Sequence, residues 1–522
     1  MTAGSSSVAT RADRLRSEAQ AFVEENAAIR ALTTPGIERA ALRFLGVGGL
    51  DGNGAPLAGS LVDRFHDAGL THLGEGIALA LALAAAGRGT GPQETALAAA
   101  NGEIDLATEA AFLQHPDRRA LADALLGTWR DDAFDRVDAN RTATHELEDT
   151  LGPPKVPWRL ARLAAFRLDD AIAEVRAVVA AGADGVLVRV PRGRELVAGF
   201  GEGAAEERLP TDLDPPPAGS QRGLASLRST LDELAAERGS SLLLATQTEG
   251  LAAPEQAVVA AFERVDIVFA DPFDDLALGV EPDRAFADHA AAYRLLARSG
   301  TLLALGPGPL LVGPELRRGE SIETEVRIGR SIAAQAVAAA WAVASGVAHD
   351  RVLLQAPFEL PASGDDATTL AADLLVRSSL PARHPLALTL PVDAAPDDWR
   401  IALPLALLVV PARFVVVSAE EEAFPGATSS AGNAALVGDT FRPLLARDAD
   451  GSPQLSEAVV SAAGRVIDIA IETLHVVRSE RWDALVGSDV LASQGGARYG
   501  RAGILPAGGS GAPWLIAAEE GA

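Results

Sequence analysis

The stretch SLLLATQTEGLAAPEQAVVAAFERVDIVFAD, residues 241–271, holds one complete strand–helix–strand unit. Ser241–Thr246 and Ile267–Asp271 are apolar runs too short for a helix and without polar alternation, the pattern of strands buried on both faces. Between them, Pro254–Arg264 opens on a proline and repeats Ala, Val and Phe at helical spacing. The same unit recurs on both sides. Further apolar runs lie at Arg159–Phe166, Gly185–Val190, Thr301–Leu305, Val352–Ala356, Ala387–Leu390 and Phe414–Ser418, which makes eight in all. Helical patterns fill the gaps at Asp170–Ala181, Gly223–Arg238, Pro282–Ser299, Glu323–Ser345, Asp366–Arg377 and Asp397–Leu408. Eight buried strands alternating with helices predict an α/β fold, a (β/α)8 TIM barrel. The rival, an open doubly wound sheet, usually has fewer strands.

Three regions are expected: an N-terminal helical accessory region over 1–150, the barrel over 151–440, and a C-terminal helix with an irregular tail over 441–522. In the first, helices are expected at Arg11–Ala31, Ile37–Leu45, within Leu61–Gly87 and at Gln93–Gly102, with a turn-rich break at Gly48–Pro56. The segment Gly152–Pro157 reads as the linker into the barrel. Leu455–Val477 reads as the last helix. The loop Pro191–Gln221 follows the second strand, on the face where barrels keep their active sites.

Composition narrows the chemistry. The chain has 522 residues, 48% of them hydrophobic, and no cysteine. Disulfides, thiolate nucleophiles and Cys-ligated metals are therefore excluded. A net charge of −26 argues against nucleic acid as a partner. Lys155 is the only lysine, so a Schiff base formed by this chain alone would have to use it. Met1–Thr10 lacks the basic and apolar parts of a signal peptide. Ser331–Ala348 reads as a buried helix, and Ile401–Val417 is broken by Pro404, Pro411 and Arg413, so no membrane span is expected and the protein is expected in the cytoplasm.

Local motifs are few. Gly306-Pro307-Gly308-Pro309 follows the fifth strand, but its prolines remove amides that a phosphate would need. The eight histidines show no metal-ligand spacing, and no metal site is expected. The candidates are polar residues at strand ends: Arg189 and Arg192 after the second strand, Gln247 and Glu249 after the third, Asp271, Asp274 and Asp275 after the fourth. Gln355 and Glu359 follow at the sixth, and Glu420, Glu421 and Glu422 after the eighth. They could line a pocket for a cationic or zwitterionic ligand, or simply cap loops.

TTPGIERAALRFLGVGGLDGNGAPLAGSLVDRFHDAGLTHLGEGIALALA (33–82) and PQETALAAANGEIDL (92–106) resemble the large (α) subunit of lysine 5,6-aminomutase. So do PPKVPW (153–158), AAGADGVLVRV (180–190), GLAAPEQAVVAAFERVDIVFAD (250–271), PFEL (357–360) and EEAFPG (421–426), in order from about residue 30 to 440. The resemblance implies a barrel with accessory helices and a small β subunit that carries adenosylcobalamin. That partner also carries the lysine that holds pyridoxal phosphate. The implied reaction is a radical 1,2-shift of an amino group on lysine, ornithine or a relative, in a hetero-oligomer.

The pocket motifs depart from that pattern. Glu195 and Glu249 stand where the family has serines near the cofactor phosphate, Asp274 stands close to the position of a tyrosine that lies on the pyridine ring, and the acidic loop after the fifth strand has become Gly306–Pro309. A carboxylate beside a phosphate is repulsive. The resemblance thus suggests Arg189, Arg192, Glu249 and Asp271 toward a cofactor and Asp274, Glu359 and Glu422 toward substrate, names no catalytic residue, and leaves pyridoxal phosphate doubtful. Arg284 matches a family arginine loosely. No tyrosine is expected near Asp274, since Tyr293 and Tyr499 are the only two. A non-catalytic paralogue acting as scaffold or regulator, and a cobalamin-dependent mutase without pyridoxal phosphate, remain alternatives. The chain has no Asp-x-His-x-x-Gly motif, so cobalamin is expected to arrive on the partner. Gel filtration of the chain with adenosylcobalamin should leave the eluted protein without the corrinoid absorbance, and stoichiometric retention would overturn this reading.

Overall fold

The computed structural model describes residues 3–53, 56–69, 74–152, 158–189, 218–247, 253–277, 280–306, 324–357, 364–380, 386–389, 415–420, 445–447, 453–480 and 505–506. After a short strand β1 (Leu32–Thr33), eight parallel strands close into a barrel in sequence order. They are β2 (Trp158–Arg162), β3 (Gly185–Arg189), β4 (Leu243–Gln247), β5 (Ile267–Phe269), β6 (Leu302–Leu305), β7 (Val352–Pro357), β8 (Leu386–Thr389) and β9 (Val415–Glu420). Each of the eight expected runs supplies one strand. The ends differ: β2 stops at Arg162 rather than Phe166, and β9 runs on to Glu420.

Inside the barrel, Trp158, Leu160, Leu187, Leu243, Ala245, Ile267, Phe269, Ala304 and Leu353 form a separate apolar cluster. Inward side chains two apart on each strand make this packed core. Gly185 belongs to the same tight layer, because a Cβ there would lie 2.4 Å from the Leu243 carbonyl oxygen and 2.8 Å from Leu160.

The helical shell begins with α1 (Ala3–Glu25), α2 (Pro35–Phe44), α3 (Leu57–Asp67), α4 (Ile77–Arg88), α5 (Pro92–Ala100), α6 (Leu106–Phe112) and the 36-residue α7 (Pro116–Leu151). The single helix expected over Arg11–Ala31 is broken at Asn26, where a 3-10 turn, Ala27–Ala31, begins. The barrel helices are α8 (Leu168–Ala180), α9 (Gln221–Arg238), α10 (Ala253–Phe262), the short α11 (Pro272–Ala277), α12 (Pro282–Ser299), α13 (Thr324–Ala344) and α14 (Gly364–Ser379). The seventh expected helix, Asp397–Leu408, lies outside the described residues. A hairpin, β10 (Leu445–Arg447) with β11 (Pro453–Leu455), precedes α15 (Glu457–Glu480). In the tail, expected to be irregular, β12 (Leu505–Pro506) pairs antiparallel with β1. α15 packs on both α1 and α13, where Gly329 permits close approach, since a Cβ would lie 2.7 Å from Ile469. No described helix is long and apolar enough to cross a membrane.

The stretch TTPGIERA (33–40) fastens the accessory helices to the barrel. Thr34 is the N-cap of α2, accepting from the Ile37 amide, and its hydroxyl donates to Asp288 on α12. Pro35 fills the first helical turn, where its missing amide costs nothing. Glu38 is fully buried. One of its oxygens accepts from Thr33 Oγ1 at 2.6 Å and the other from the Ile77 amide at 2.8 Å. Arg39 and Arg43 both bind the buried Glu255 of α10.

Burial pushes the Glu38 carboxyl up to about 7, against the two hydrogen bonds that favour its charge. Between the ordinary value of 4.5 and about 7 the folded chain holds a proton that the unfolded chain has lost. Stability therefore falls as pH rises through that window, by up to about 3 kcal/mol. Glu38→Gln, which keeps an acceptor for Ile77, should remove this part of the slope. Urea midpoints of both proteins on either side of the window measure it, and a pH-independent difference between them would contradict the assignment.

Candidate active site at the barrel mouth

The C-terminal ends of β5 and β6 carry a buried acidic cluster. The chain leaves β5 at Ala270. Asp271 then caps α11, its Oδ1 accepting from the Phe273 amide at 2.8 Å. Asp274 and Asp275 sit in the first turn of that helix. Across from them, Gly306 follows β6. A Cβ on Gly306 would stand 3.3 Å from Asp271 Oδ2 and 3.6 Å from Asp274 Oδ2, so both carboxyl groups face this glycine. Asp271 is 1% exposed, and its Oδ2 makes no hydrogen bond of normal geometry. Burial, then the neighbouring Asp274, then Asp275 push the Asp271 carboxyl well above the usual carboxylate range, against the Phe273 and Gly306 amides.

Behind the cluster, α12 contributes four buried groups. His289 Nε2 lies 3.2 Å from Asp275 Oδ2, and the His289 ring meets Tyr293 edge-on at 5.5 Å. Tyr293 Oη donates to the Ala270 carbonyl at 3.1 Å. Its phenol is pushed well up by burial and by Asp271, Asp275 and Asp274. This corrects the expectation that no tyrosine stands near Asp274. Tyr293 reaches the cluster from behind the strand, eighteen residues beyond Asp275 on another helix, a proximity that only the fold creates. Asp288 is pushed up to about 6 by burial, against Arg284 and Thr34. Arg284 lies 3.9 Å from Asp288 and is itself 4% exposed, within the shell rather than at the mouth.

The floor of the Gly306 turn is held from α13. Gln335 is fully buried, and its amide donates to the carbonyls of Gly306 at 2.8 Å, Gln355 at 2.9 Å and Leu305 at 3.3 Å. Its oxygen accepts from Arg377 of α14, which also binds Asp373 at 2.8 Å and Ser331 at 3.1 Å. Gln355, read from sequence as a mouth residue, takes part here through its carbonyl.

On the other side of the ring, Arg189 is the last residue of β3, in register with Gln247 of β4. Arg162 ends β2, half-buried, two residues beyond the inward-facing Leu160, and in register with Glu420 of β9. Arg162 was missed by the sequence reading because that strand was extended to Phe166, which put Arg162 in mid-strand. The only signal was its parity with Trp158 and Leu160. Asp271 and Asp274 thus come together, with Asp275 as a third member, and Arg189 stands elsewhere on the rim. Arg192, Glu249, Glu359 and Glu422, with Glu195 and Lys155, lie outside the described residues. No group of His, Asp and Glu able to hold a metal occurs among the described residues.

A closed barrel with buried acids at the ends of β5 and β6 defines a β/α-barrel protein with one acidic arc at its mouth. A carboxyl cluster is a poor cradle for a phosphate. The described residues around β5 and β6 therefore do not fit the phosphate of pyridoxal phosphate. The family model of the D-lysine 5,6-aminomutase TIM-barrel domain of the alpha subunit matches residues 7–391, and the chain belongs to that aminomutase family. Among curated relatives, the lysine 5,6-aminomutase alpha subunit of Fusobacterium nucleatum is 27% identical over 261 residues, covering 50% of this chain and 47% of the relative. That of Acetoanaerobium sticklandii is 26% identical over 254 residues, covering 49% and 46%. The chain thus spans about half the length of the curated relatives it matches. Solved structures show slight likeness: Mycobacterium tuberculosis Rv1207 at 20% identity, 52% and 92% coverage and a TM-score of 0.32, and a Yersinia pestis dihydropteroate synthase at 14%, 55% and 93%, also 0.32.

Gln335→Leu should strip buried carbonyls of their donor and Arg377 of an acceptor, costing about 3 kcal/mol. Denaturant unfolding measures the loss, and a change below about 1 kcal/mol would show that the network does not hold the turn.

Proposed function

We propose that the chain is the large subunit of an adenosylcobalamin-dependent aminomutase acting on lysine, ornithine or a related amino acid. In this reading Asp271, with Asp274 beside it, receives a substrate ammonium group. The observation that carries it is the buried, incompletely bonded Asp271 carboxyl in the mouth of a barrel from an aminomutase family. Arg189 or Arg192, at the end of the second barrel strand, serves as the contact for an anionic group, and Glu359 and Glu422 complete the substrate side. The cobalamin rides on a small partner subunit, because the chain lacks the motif that would ligate it.

Asp271 binds and orients the amino group, and the ring of buried apolar residues below it excludes water from that end of the substrate. A second reading, a cobalamin mutase without pyridoxal phosphate, draws on the acidic character of the mouth at β5 and β6 and on Glu195 and Glu249 in the sequence. In either reading the regions expected over 1–150 and 441–522 act as accessory parts around the barrel.

The free Asp271 carboxyl favours its protonated form, whereas an arriving ammonium favours the carboxylate. Binding should therefore release a proton, and affinity should rise with pH until Asp271 is ionised without ligand. Calorimetry with lysine and ornithine, in buffers of different ionisation heat, should register this proton. Asp271→Asn should weaken binding about tenfold or more and flatten the pH dependence. Unchanged affinity in Asp271→Asn would remove the residue from the site.

A further inference from the structure

At the opposite end of the barrel, α7 crosses the segments that lead into β6 and β7. Between them lies a cleft of about 520 Å3, within the usual size range of small-molecule sites. Arg141 and His145 of α7 and Arg351 before β7 line it, over a low wall that includes Gly300 and Gly346. Among the described residues no carboxylate lines the cleft, in a chain of net charge −26.

Both arginines are held in place by the backbone. Arg141 Nη1 donates to the Arg298 carbonyl at 3.1 Å, and Arg351 Nη1 donates to the Gly300 carbonyl at 2.9 Å. Both acceptors belong to the C-terminal end of α12. Each bond uses one of five guanidinium N–H groups, so each fork is fixed while most of its donors stay available. Two carboxylates flank the cleft at ion-pair distance without a hydrogen bond, Asp138 at 3.8 Å from Arg141 Nη2 and Glu148 at 3.7 Å from His145 Nδ1. Helices α12 and α13 both end here, and a helix C-terminus opposes an anion with about half an elementary charge. Two half-charges, already met by arginine donors at α12, do not cancel two whole guanidinium charges.

We propose that this cleft binds a phosphoryl group, free or carried on a molecule of nucleotide size. Paired arginine forks suit the several oxygens of a phosphate better than a single charge would. The site is separate from the acidic mouth, since it sits at the strand starts rather than the strand ends.

Calorimetry on the full chain, with inorganic phosphate and with ATP as probes, tests the proposal. One saturable site is expected for at least one probe, weakening as chloride is raised. Equal affinity for both probes would identify the free phosphoryl group as the ligand, and tighter ATP binding would identify the larger molecule. Arg141→Gln and Arg351→Gln should each weaken binding at least about tenfold, and Asp271→Asn should leave it unchanged. His145→Ala alters a half-exposed side chain that makes no close hydrogen bond, so it tests the cleft even if an arginine variant unfolds, and should weaken binding about threefold or more. Failure of both probes to saturate, or binding indifferent to all three cleft variants, would overturn the proposal.

Discussion

The seam between β2 and β9 governs everything else in this molecule. Trp158–Arg162 pairs in register with Val416–Glu420, joining the first barrel strand to the last across about half of the sequence. Until that seam forms, the strands have two free edges, and their inward residues have no enclosed interior to fill. Once it forms, the interior is so tight that position 185 has no room for a Cβ. Closure also sets which residues crown the ring: Arg162 and Arg189 on one arc, Asp271 and Gly306 on another. The charge arrangement at the mouth is therefore a product of strand register, although each charged residue lies on a separate strand or loop.

The features that make this chain resemble its family and the features that could do chemistry lie apart. Thr33 binds Glu38, and Thr34, Glu38 and Arg39 bind Asp288, Ile77 and Glu255 in turn. They fasten helices together behind β5 without reaching the mouth. The acidic cluster then rests on α12, the same helix that Thr34 grips through Asp288. A rigid scaffold of this kind buries Asp271 and holds its carboxyl near two others at a separation they would not keep in solution, and burial first, then those neighbours, raise it.

The strands were legible because each is an uninterrupted apolar run flanked by turn residues, and burial on both faces leaves no other reading. Strand ends were harder. Arg162 and Glu420 look like the middle or the outside of their strands until the barrel's register is known. Asp271 and Asp274 could be picked out because they directly follow a strand. His289, Tyr293, Gln335 and Arg377 could not, because each sits within a helix whose pattern already accounts for it. Their importance lies in which carbonyl or carboxyl the packed helix brings them to. The length of α7 was hidden for a similar reason, since its sparse apolar positions meet partners only along parts of its 36 residues.

Helix α1 packs against α15, and the ion pair between Arg11 and Asp468 joins residues 457 positions apart. On a ribosome adding about 5–20 residues per second, α1 emerges roughly 20–90 s before the helix that covers it. Throughout that time Val8, Leu15, Phe22 and Val23, all buried in the finished fold, have no partner from the C-terminal end. The nascent chain thus presents an apolar stripe early and for long, which makes this helix a natural client for chaperones that bind emerging polypeptides. The order of synthesis, as much as final stability, bears on how much of the protein reaches its native state.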